Sequence, residues 1–391
     1  MLKKAALKLL LQQWKKGGFS VVFWDGEQKD YGNDPPSFTI IFNKEPKIDT
    51  STSDIILILG EAYMDGTIDI EGSMDELIRC MSLNTFLPPA EDTTAATKES
   101  GVTPRTEQKN IQHHYDLGND FFSLWLDDTM SYSCGYFKTP QDSLKQAQLQ
   151  KIDHILKKLN LTQGETLLDI GSGWGGLILR AAQQYQVKVT GITLSIEQYN
   201  YTKQQIEKLG LQDSASVQLT SYQDLDPAQM HFDKVVSVGM FEHVSQDNLS
   251  KYLNKVTELM APGGMFLLHT ITGMFETTVN SWMGKYIFPG GYVPSLRETV
   301  WLSSNHDLHL LHAESLRLHY ALTLERWYEN FKQSLTTIRE KYDERFIRMW
   351  SLYLRGCAAA FRVSGLDIYQ LLFTKNLNNH IALTFDHVYA E

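Results

Sequence analysis

Cysteine is scarce in this chain: Cys80, Cys134 and Cys357 are scattered through 391 residues and no two form a C-x-x-C pair. Neither a disulfide framework nor a cysteine-based zinc site is suggested, and the usage suits a reducing cytoplasm. Long hydrophobic runs are also missing. A bilayer-spanning helix needs about 18 consecutive apolar residues, and the best stretch, Met265 to Ile271, is strand-length and bounded by glycines, so a soluble chain is expected. Basic charge is in deficit too. A net charge of −10 argues against generic nucleic-acid binding, which wants a basic field, and against whole-molecule attraction to anionic lipid. No internal repeat or low-complexity tract is present. No signal peptide is read, because Lys8 interrupts the first apolar run and no small-residue cleavage site follows.

What is there begins with an exception to the charge trend. Met1 to Lys16 holds five lysines and no acid. Helical spacing places Lys4, Lys8 and Lys15 on one stripe and Leu2, Ala6, Leu9 and Leu10 on a broad opposite face, the pattern of a basic amphipathic helix lying on a membrane. The competing reading is a first helix packed on its own domain with its lysines in water. Length allows two domains. Residues 1–87 read as a small α+β domain for lipid contact, with strand-like Phe38–Phe42 and Ile55–Leu59; polar, Thr-rich residues 88–109 read as a linker; residues 110–391 form the catalytic domain. There, strands at 166–170, 187–192, 216–219, 234–238 and 264–271 alternate with helices at 143–159, 176–185, 196–209 and 248–260. Helices over 324–341 and 343–363 and a strand over 366–373 follow. Such alternation predicts an α/β fold with a doubly wound, mostly parallel sheet and ligands at the carboxyl ends of its strands.

The most informative stretch is Asp169-Ile-Gly-Ser-Gly-Trp-Gly-Gly176, a glycine turn between a strand and a helix. Gly171, Gly173 and Gly176 satisfy G-x-G-x-x-G, whose glycines permit positive φ and close approach of backbone to a ligand. A dinucleotide site also wants an acid at the end of the second strand, but Thr193-Leu194-Ser195 stands there, with Gln198 one turn into the next helix. Asp169, an acid before the glycines, suits S-adenosylmethionine with its cationic amine and sulfonium. A nicotinamide or flavin cofactor, or a turn without ligand, are the alternatives. Glu242 and His269 follow or end strands and are candidates for chemistry; His113, His114 and His243 receive no role. His306, His309, His312 and His319 lack the spacing of a metal site, so no metal is assigned.

Several stretches together resemble the cyclopropane-fatty-acyl-phospholipid synthases and the related mycolic acid cyclopropane synthases: His114-Tyr-Asp-Leu-Gly-Asn-Asp-Phe-Phe122, Met130-Ser-Tyr-Ser-Cys-Gly-Tyr136, Leu167 to Gly176, Gly191 to Gln198, Gly239-Met-Phe-Glu-His-Val244 and His269-Thr-Ile271. Gly60-Glu-Ala-Tyr-Met-Asp-Gly66 resembles the additional N-terminal domain of the phospholipid branch. The resemblance implies a class I S-adenosylmethionine-dependent methyltransferase fold and methylene transfer to the cis double bond of an acyl chain in a membrane phospholipid. The intermediate is a carbocation, for which an apolar pocket with aromatic faces is needed; Tyr136, Phe137, Trp282, Tyr286 and Phe288 are available, although most could equally be core. The resemblance further implies a bound bicarbonate as the base, caged by the backbone of Cys134 and Ile271 and by the side chains of Glu242, His269 and Tyr320. Tyr132, Ser133, Gly171, Gly173, Thr193, Leu194 and Gln198 would surround methionine and ribose, Tyr222 would stack on adenine and Gln223 would sit beside it. A cytoplasmic enzyme peripheral to the inner face of the cell membrane, and a homodimer, are expected on the same ground. A fatty-acid C-methyltransferase, a methyltransferase of small molecules and a non-catalytic lipid-binding protein are the rival readings.

Overall fold

The computed structural model describes residues 2–46, 54–85 and 117–389. The expected linker, His113 and the first three residues of the His114 motif lie outside them. Two compact units form, and they do not follow chain order: one takes the described part of Met1–Thr97 with Val279–Pro289 and Leu324–Leu366, the other the remainder.

In the first unit, α1 (Leu2–Leu11) precedes β1 (Gly18–Val22), β2 (Gln28–Gly32) and β3 (Phe38–Phe42), followed by α2 (Ile55–Met64), β4 (Ile68–Gly72) and α3 (Met74–Thr85). The sheet order is β2-β1-β3-β4. Helix α1 does exist, but the face it buries differs from the expected one. Leu7, Leu11 and the following Trp14 enter the core while Leu9 is 64% exposed; Lys4 pairs with Asp25 and Glu27, and Lys8 with Glu27. The helix is therefore stapled to its own domain, as the competing reading held. Ile55–Leu59 is helical, not a strand. The Asp54 carboxylate caps it by accepting from the Ile56 and Leu57 N–H groups, and a short apolar run by itself does not distinguish the two states. Gly60 has a packing reason, since a Cβ there would run into the Trp282 indole, whose N–H donates to the Met64 sulfur at 3.2 Å. Trp282, Tyr286 and Phe288 thus work inside this unit: the Tyr286 hydroxyl donates to Glu61 at 2.6 Å, and Phe288 packs edge-on against Tyr353. The expected helix 324–341 is divided into Arg317–Gln333 and Leu335–Arg339. Glu344–Val363, capped by Asp343, completes the unit by burying Trp350, Leu354, Ala358 and Phe361.

The second unit is built on β5 (Thr166–Ile170), β6 (Lys188–Thr193), β7 (Ala215–Leu219), β8 (Phe232–Val238), β9 (Met260–Thr272), a small hairpin of β10 (Thr277–Thr278) and β11 (Tyr292–Val293), β12 (Leu308–Ser315) and β13 (Asp367–Lys375). The large sheet runs β12-β13-β9-β8-β5-β6-β7. The β9-β8-β5-β6-β7 pairs are parallel, whereas β13 is antiparallel to both of its neighbours. Side-chain alternation along each strand feeds both faces. Leu168, Ile170, Val235, Phe266 and Leu268 meet Tyr252, Leu253 and Val256 of the helix Leu249–Leu259 on one side. Leu167, Val189, Val236 and Leu267 meet Ile155, Leu156, Ile178 and Ala181 on the other. Each such fully buried Leu or Phe contributes about 1.5–3 kcal/mol. Strand order reverses at β5, which has β6 on one side and β8 on the other; this opens a crevice at its carboxyl end.

Candidate active site

The crevice is a cleft of about 140 Å³, and all nine residues expected at the cofactor line it: Tyr132, Ser133, Gly171, Gly173, Thr193, Leu194, Gln198, Tyr222 and Gln223. The glycine turn sets its floor. Gly171 and Gly173 have φ of 85° and 54°, the Gly171 and Ser172 N–H groups donate to the Ile192 carbonyl at 3.0 and 2.9 Å, and a Cβ on Gly171 would lie 2.8 Å from Met240 Cγ. At the end of β6, the Thr193 hydroxyl donates to Gln198 Oε1 at 2.7 Å, which leaves the Gln198 amide N–H groups to donate. Tyr222 stands edge-on to Tyr252, centroids 4.9 Å apart, and the Gln223 amide donates to the Tyr222 hydroxyl at 3.2 Å.

Two buried charges lie beneath. Burial raises the Asp169 carboxyl to about 7 despite the opposing charge of Lys151, and burial lowers Lys151 to about 8 against the pull of Asp127. The Lys151 ammonium donates to Ser133 Oγ at 2.8 Å. A carboxyl held at that threshold is ionised readily by an arriving cation. The glycine cradle, the waiting acid and the amide donors therefore fit S-adenosylmethionine. Lys151 and His243, the latter lowered to about 4 by burial, also line the cleft and were missed or given no role from the sequence.

The other five expected residues are absent from this lining, although Ser133 next to Cys134 and His243 next to Glu242 belong to it. Cys134 is fully buried; its thiol donates to the Gly135 carbonyl at 3.2 Å and to the Leu316 carbonyl at 3.8 Å. Burial pushes that thiol well above its ordinary value, so no thiolate forms near neutrality. Tyr320, in the first turn of Arg317–Gln333, donates its backbone N–H to the same Leu316 carbonyl at 3.0 Å. Opposite the end of β8, the Gly239 N–H donates to the His269 carbonyl at 2.9 Å. The next N–H along β9, that of Ile271, donates to Glu242 Oε1 at 2.7 Å. The Ile271 N–H is thus taken by the Glu242 carboxylate. Burial raises Glu242 to about 7, with the Ile271 N–H opposing. His269, with no exposed surface, has Nδ1 3.2 Å from the Gln370 amide nitrogen. Burial holds it well below the ordinary imidazole range.

Glu242 Oε2 and His269 Nε2 are both sealed from solvent and make no hydrogen bond within 3.5 Å, while the Thr270 side chain, like the Ile271 N–H, favours the Glu242 carboxylate. Tyr136 stacks on His154 and His319, and the Phe137 N–H donates to His319 Nδ1 at 2.9 Å. His306 meets the Ser250 hydroxyl at 2.8 Å.

The sequence profile of a family described as mycolic acid cyclopropane synthetase matches residues 102–371. The chain belongs to that family. Residues 6–86 match a second family, described only as a domain of unknown function. A probable fatty acid methyltransferase of Pseudomonas putida is 40% identical over 359 residues, 90% of either chain. The cyclopropane-fatty-acyl-phospholipid synthase of Escherichia coli K12 is 38% identical over 333 residues, 82% of this chain and 84% of that one. The solved structure of mycolic acid cyclopropane synthase CmaA1 with SAH and CTAB superposes with a TM-score of 0.65 at 34% identity, covering 68% of this chain and 98% of its own. This protein is accordingly an S-adenosylmethionine-dependent enzyme of the cyclopropane synthase and fatty-acid methyltransferase family, with the class I methyltransferase sheet.

Proposed function

We propose that the chain is a cyclopropane-fatty-acyl-phospholipid synthase that transfers a methylene group from S-adenosylmethionine to the cis double bond of an unsaturated phospholipid acyl chain, with bicarbonate as the base. The observation that carries this reading is the pair of unpartnered buried atoms, Glu242 Oε2 and His269 Nε2, beside a cleft fit for the methyl donor. A buried polar atom without a partner costs about 1–3 kcal/mol, and these two belong to titratable side chains tied to the same end of β9, Glu242 through the Ile271 N–H and His269 two residues before it, which supports a ligand there. Bicarbonate, which has a hydroxyl to donate and oxygens to accept, answers both.

S-adenosylmethionine supplies the methyl group when bound, and bicarbonate a proton acceptor that a carbocation does not alkylate as it would a protein carboxylate. The protein's part is positional. Ile271 aims Glu242, β9 carries His269 alongside it, and burial excludes water that would quench a cation. Cys134, as a neutral thiol, contributes shape and backbone rather than a nucleophile. Among the described residues no helix is long and apolar enough to cross a membrane; a peripheral enzyme at the inner face of the cell membrane follows from the proposed phospholipid substrate and is tested by vesicle flotation. A homodimer is tested by light scattering.

The 40% identity to a probable fatty acid methyltransferase favours a second reading, in which the same cation ends as a methyl or methylene branch. One experiment separates them. The purified protein is incubated with S-adenosylmethionine carrying a deuterated methyl group and vesicles of cis-monounsaturated phospholipid, and the acyl chains are analysed by mass spectrometry and proton NMR. Loss of one deuterium with upfield ring protons is expected; a branched product overturns ring closure, and untouched lipid overturns the substrate. Turnover that persists undiminished in buffer stripped of carbon dioxide overturns the base.

A further inference from the structure

The helix Leu144–Lys158 carries a polar stripe where a core-facing stripe should be apolar: Gln148, Lys151, His154 and Lys158, at spacings of three, three and four, are all at most 5% exposed. Gln148 and Lys151 are accounted for at the cleft, donating to the Ser133 carbonyl and hydroxyl at 2.8 Å each. The last two serve a different end. Lys158 Nζ donates to Glu314 Oε2 on β12 and, at 2.8 Å, to Gln370 Oε1 on β13. His154 Nε2 lies 2.6 Å from the same Glu314 oxygen. Gln370 stands directly across from His269 in the β13–β9 register, and its amide nitrogen lies 3.2 Å from His269 Nδ1.

The polarity of this chain can run only one way. An ammonium has donors and no acceptor, so the atom of Gln370 facing Lys158 is the carbonyl oxygen, and the atom facing His269 is the NH2. The NH2 donates, so Nδ1 of His269 accepts and carries no proton. Reversing the amide would set N–H groups against the ammonium and forfeit a charge-assisted hydrogen bond, worth about 1.5–3 kcal/mol. Lys158 keeps its charge. Burial works against it, but the Glu314 carboxylate supports it; burial alone would raise Glu314, yet the His154 hydrogen bond and the Lys158 charge bring it to about 2. His269 is neutral by burial, so its single ring proton must sit on Nε2.

We propose that Lys158 and Gln370 are positioning residues that lock His269 in the Nε2–H tautomer, turning its unpartnered nitrogen into a donor for an anion. This rests on the reading that Glu242 and His269 hold bicarbonate. It also gives that site one donor, from His269, and one acceptor, from Glu242, which matches an ion bearing both an oxyanion and a hydroxyl.

The test is a long-range proton–nitrogen correlation spectrum of the full chain labelled with ¹⁵N-histidine, His269 being assigned from its loss in His269→Asn. The wild type is expected as the Nε2–H tautomer. In Gln370→Glu, a carboxylate of nearly the same shape accepts from both Lys158 and His269, so the tautomer is expected to switch to Nδ1–H. The bicarbonate concentration for half-maximal turnover should rise by about 10- to 100-fold, as when an outer partner of a bound ion is lost, with affinity for S-adenosylmethionine unchanged by calorimetry. An Nδ1–H tautomer in the wild type overturns the proposal and needs no variant to fold. So does a Gln370→Glu protein that keeps Nε2–H and wild-type bicarbonate dependence. A tautomer that switches in an enzyme indifferent to bicarbonate leaves the positioning role standing and overturns the anion.

Discussion

The cleft and the cluster both draw on the end of β8 and the loop after it, Val238 to Val244, yet they are built on opposite terms. In the cleft, polar side chains are paired with one another: Thr193 with Gln198, Gln223 with Tyr222, Ser133 with Lys151. What a ligand meets there is preformed backbone and amide donors, so recognition costs little reorganisation. In the cluster, Glu242 and His269 each spend one polar atom on the protein, on Ile271 and Gln370, and leave the other sealed and unmatched. A cleft of the first kind binds well and is stable empty. In a cluster of the second kind each buried atom without a partner costs about 1–3 kcal/mol, a cost that the proposed ion would offset.

That contrast can be broken in order of effect. The largest expected change is from Glu242→Gln or His269→Ala, each of which should lower turnover by about a thousandfold, within the range of a lost acid–base arrangement, while calorimetry finds the affinity for S-adenosylmethionine within about threefold of wild type, a binding change far below that range. Loss of cofactor binding along with turnover would mean that the two regions are one. Gly171→Ala should do the converse. Its Cβ would press on Met240 at a φ of 85°, distorting the floor and weakening cofactor affinity about 100-fold, while the His269 ring signals stay where they are.

A smaller effect concerns stability. Burial raises Glu242 to about 7, above its unfolded value near 4.5, so between those pH values the native state binds more protons than the unfolded chain, and stability falls as pH rises through the window. Removing the titrating group in Glu242→Gln should make the ligand-free protein more stable than wild type at pH 8, by about 3 kcal/mol, with little difference at pH 4. Thermal unfolding at the two pH values checks the sign, and a variant less stable at pH 8 would mean that the carboxylate is already compensated. The smallest effect is expected from Cys134→Ser: with the thiol neutral and its contribution a matter of backbone and shape, turnover should remain within about tenfold of wild type, against the thousandfold or more that follows loss of a nucleophile.

Legibility from sequence tracked the range of the interactions. The glycine turn, the strand ends and Gln198 were readable because each is set by neighbours within a few residues. Ile55–Leu59 was misread because an apolar five-residue run is equally at home in a strand and in a buried helix, and the deciding Asp54 cap is a single side chain. On α1 the face opposite the lysines includes the exposed Leu9, while Leu7 and Leu11 are the residues buried, and the basic stripe suggests lipid because its partners Asp25 and Glu27 lie beyond β1, about 20 residues on. Lys151 escaped notice although a signal existed: Gln148, Lys151, His154 and Lys158 share one helical face between apolar positions, a stripe whose polarity needed explaining. Gln370 had no local signal at all, since it looks like any polar residue in an otherwise apolar strand.

By itself the sequence determined the alternating α/β order, the glycine floor of the cleft and the residue types around it, because these follow from periodicity and from what glycine permits in a tight turn. Only the tertiary structure decided that Lys158, Gln370 and His269 lie in one hydrogen-bonded line, that Ile271 holds Glu242, and that Glu242 Oε2 and His269 Nε2 remain unmatched. Those depend on strand register and on burial, which bring together residues from 29 to 212 positions apart and make an unpaired proton or lone pair costly enough to matter.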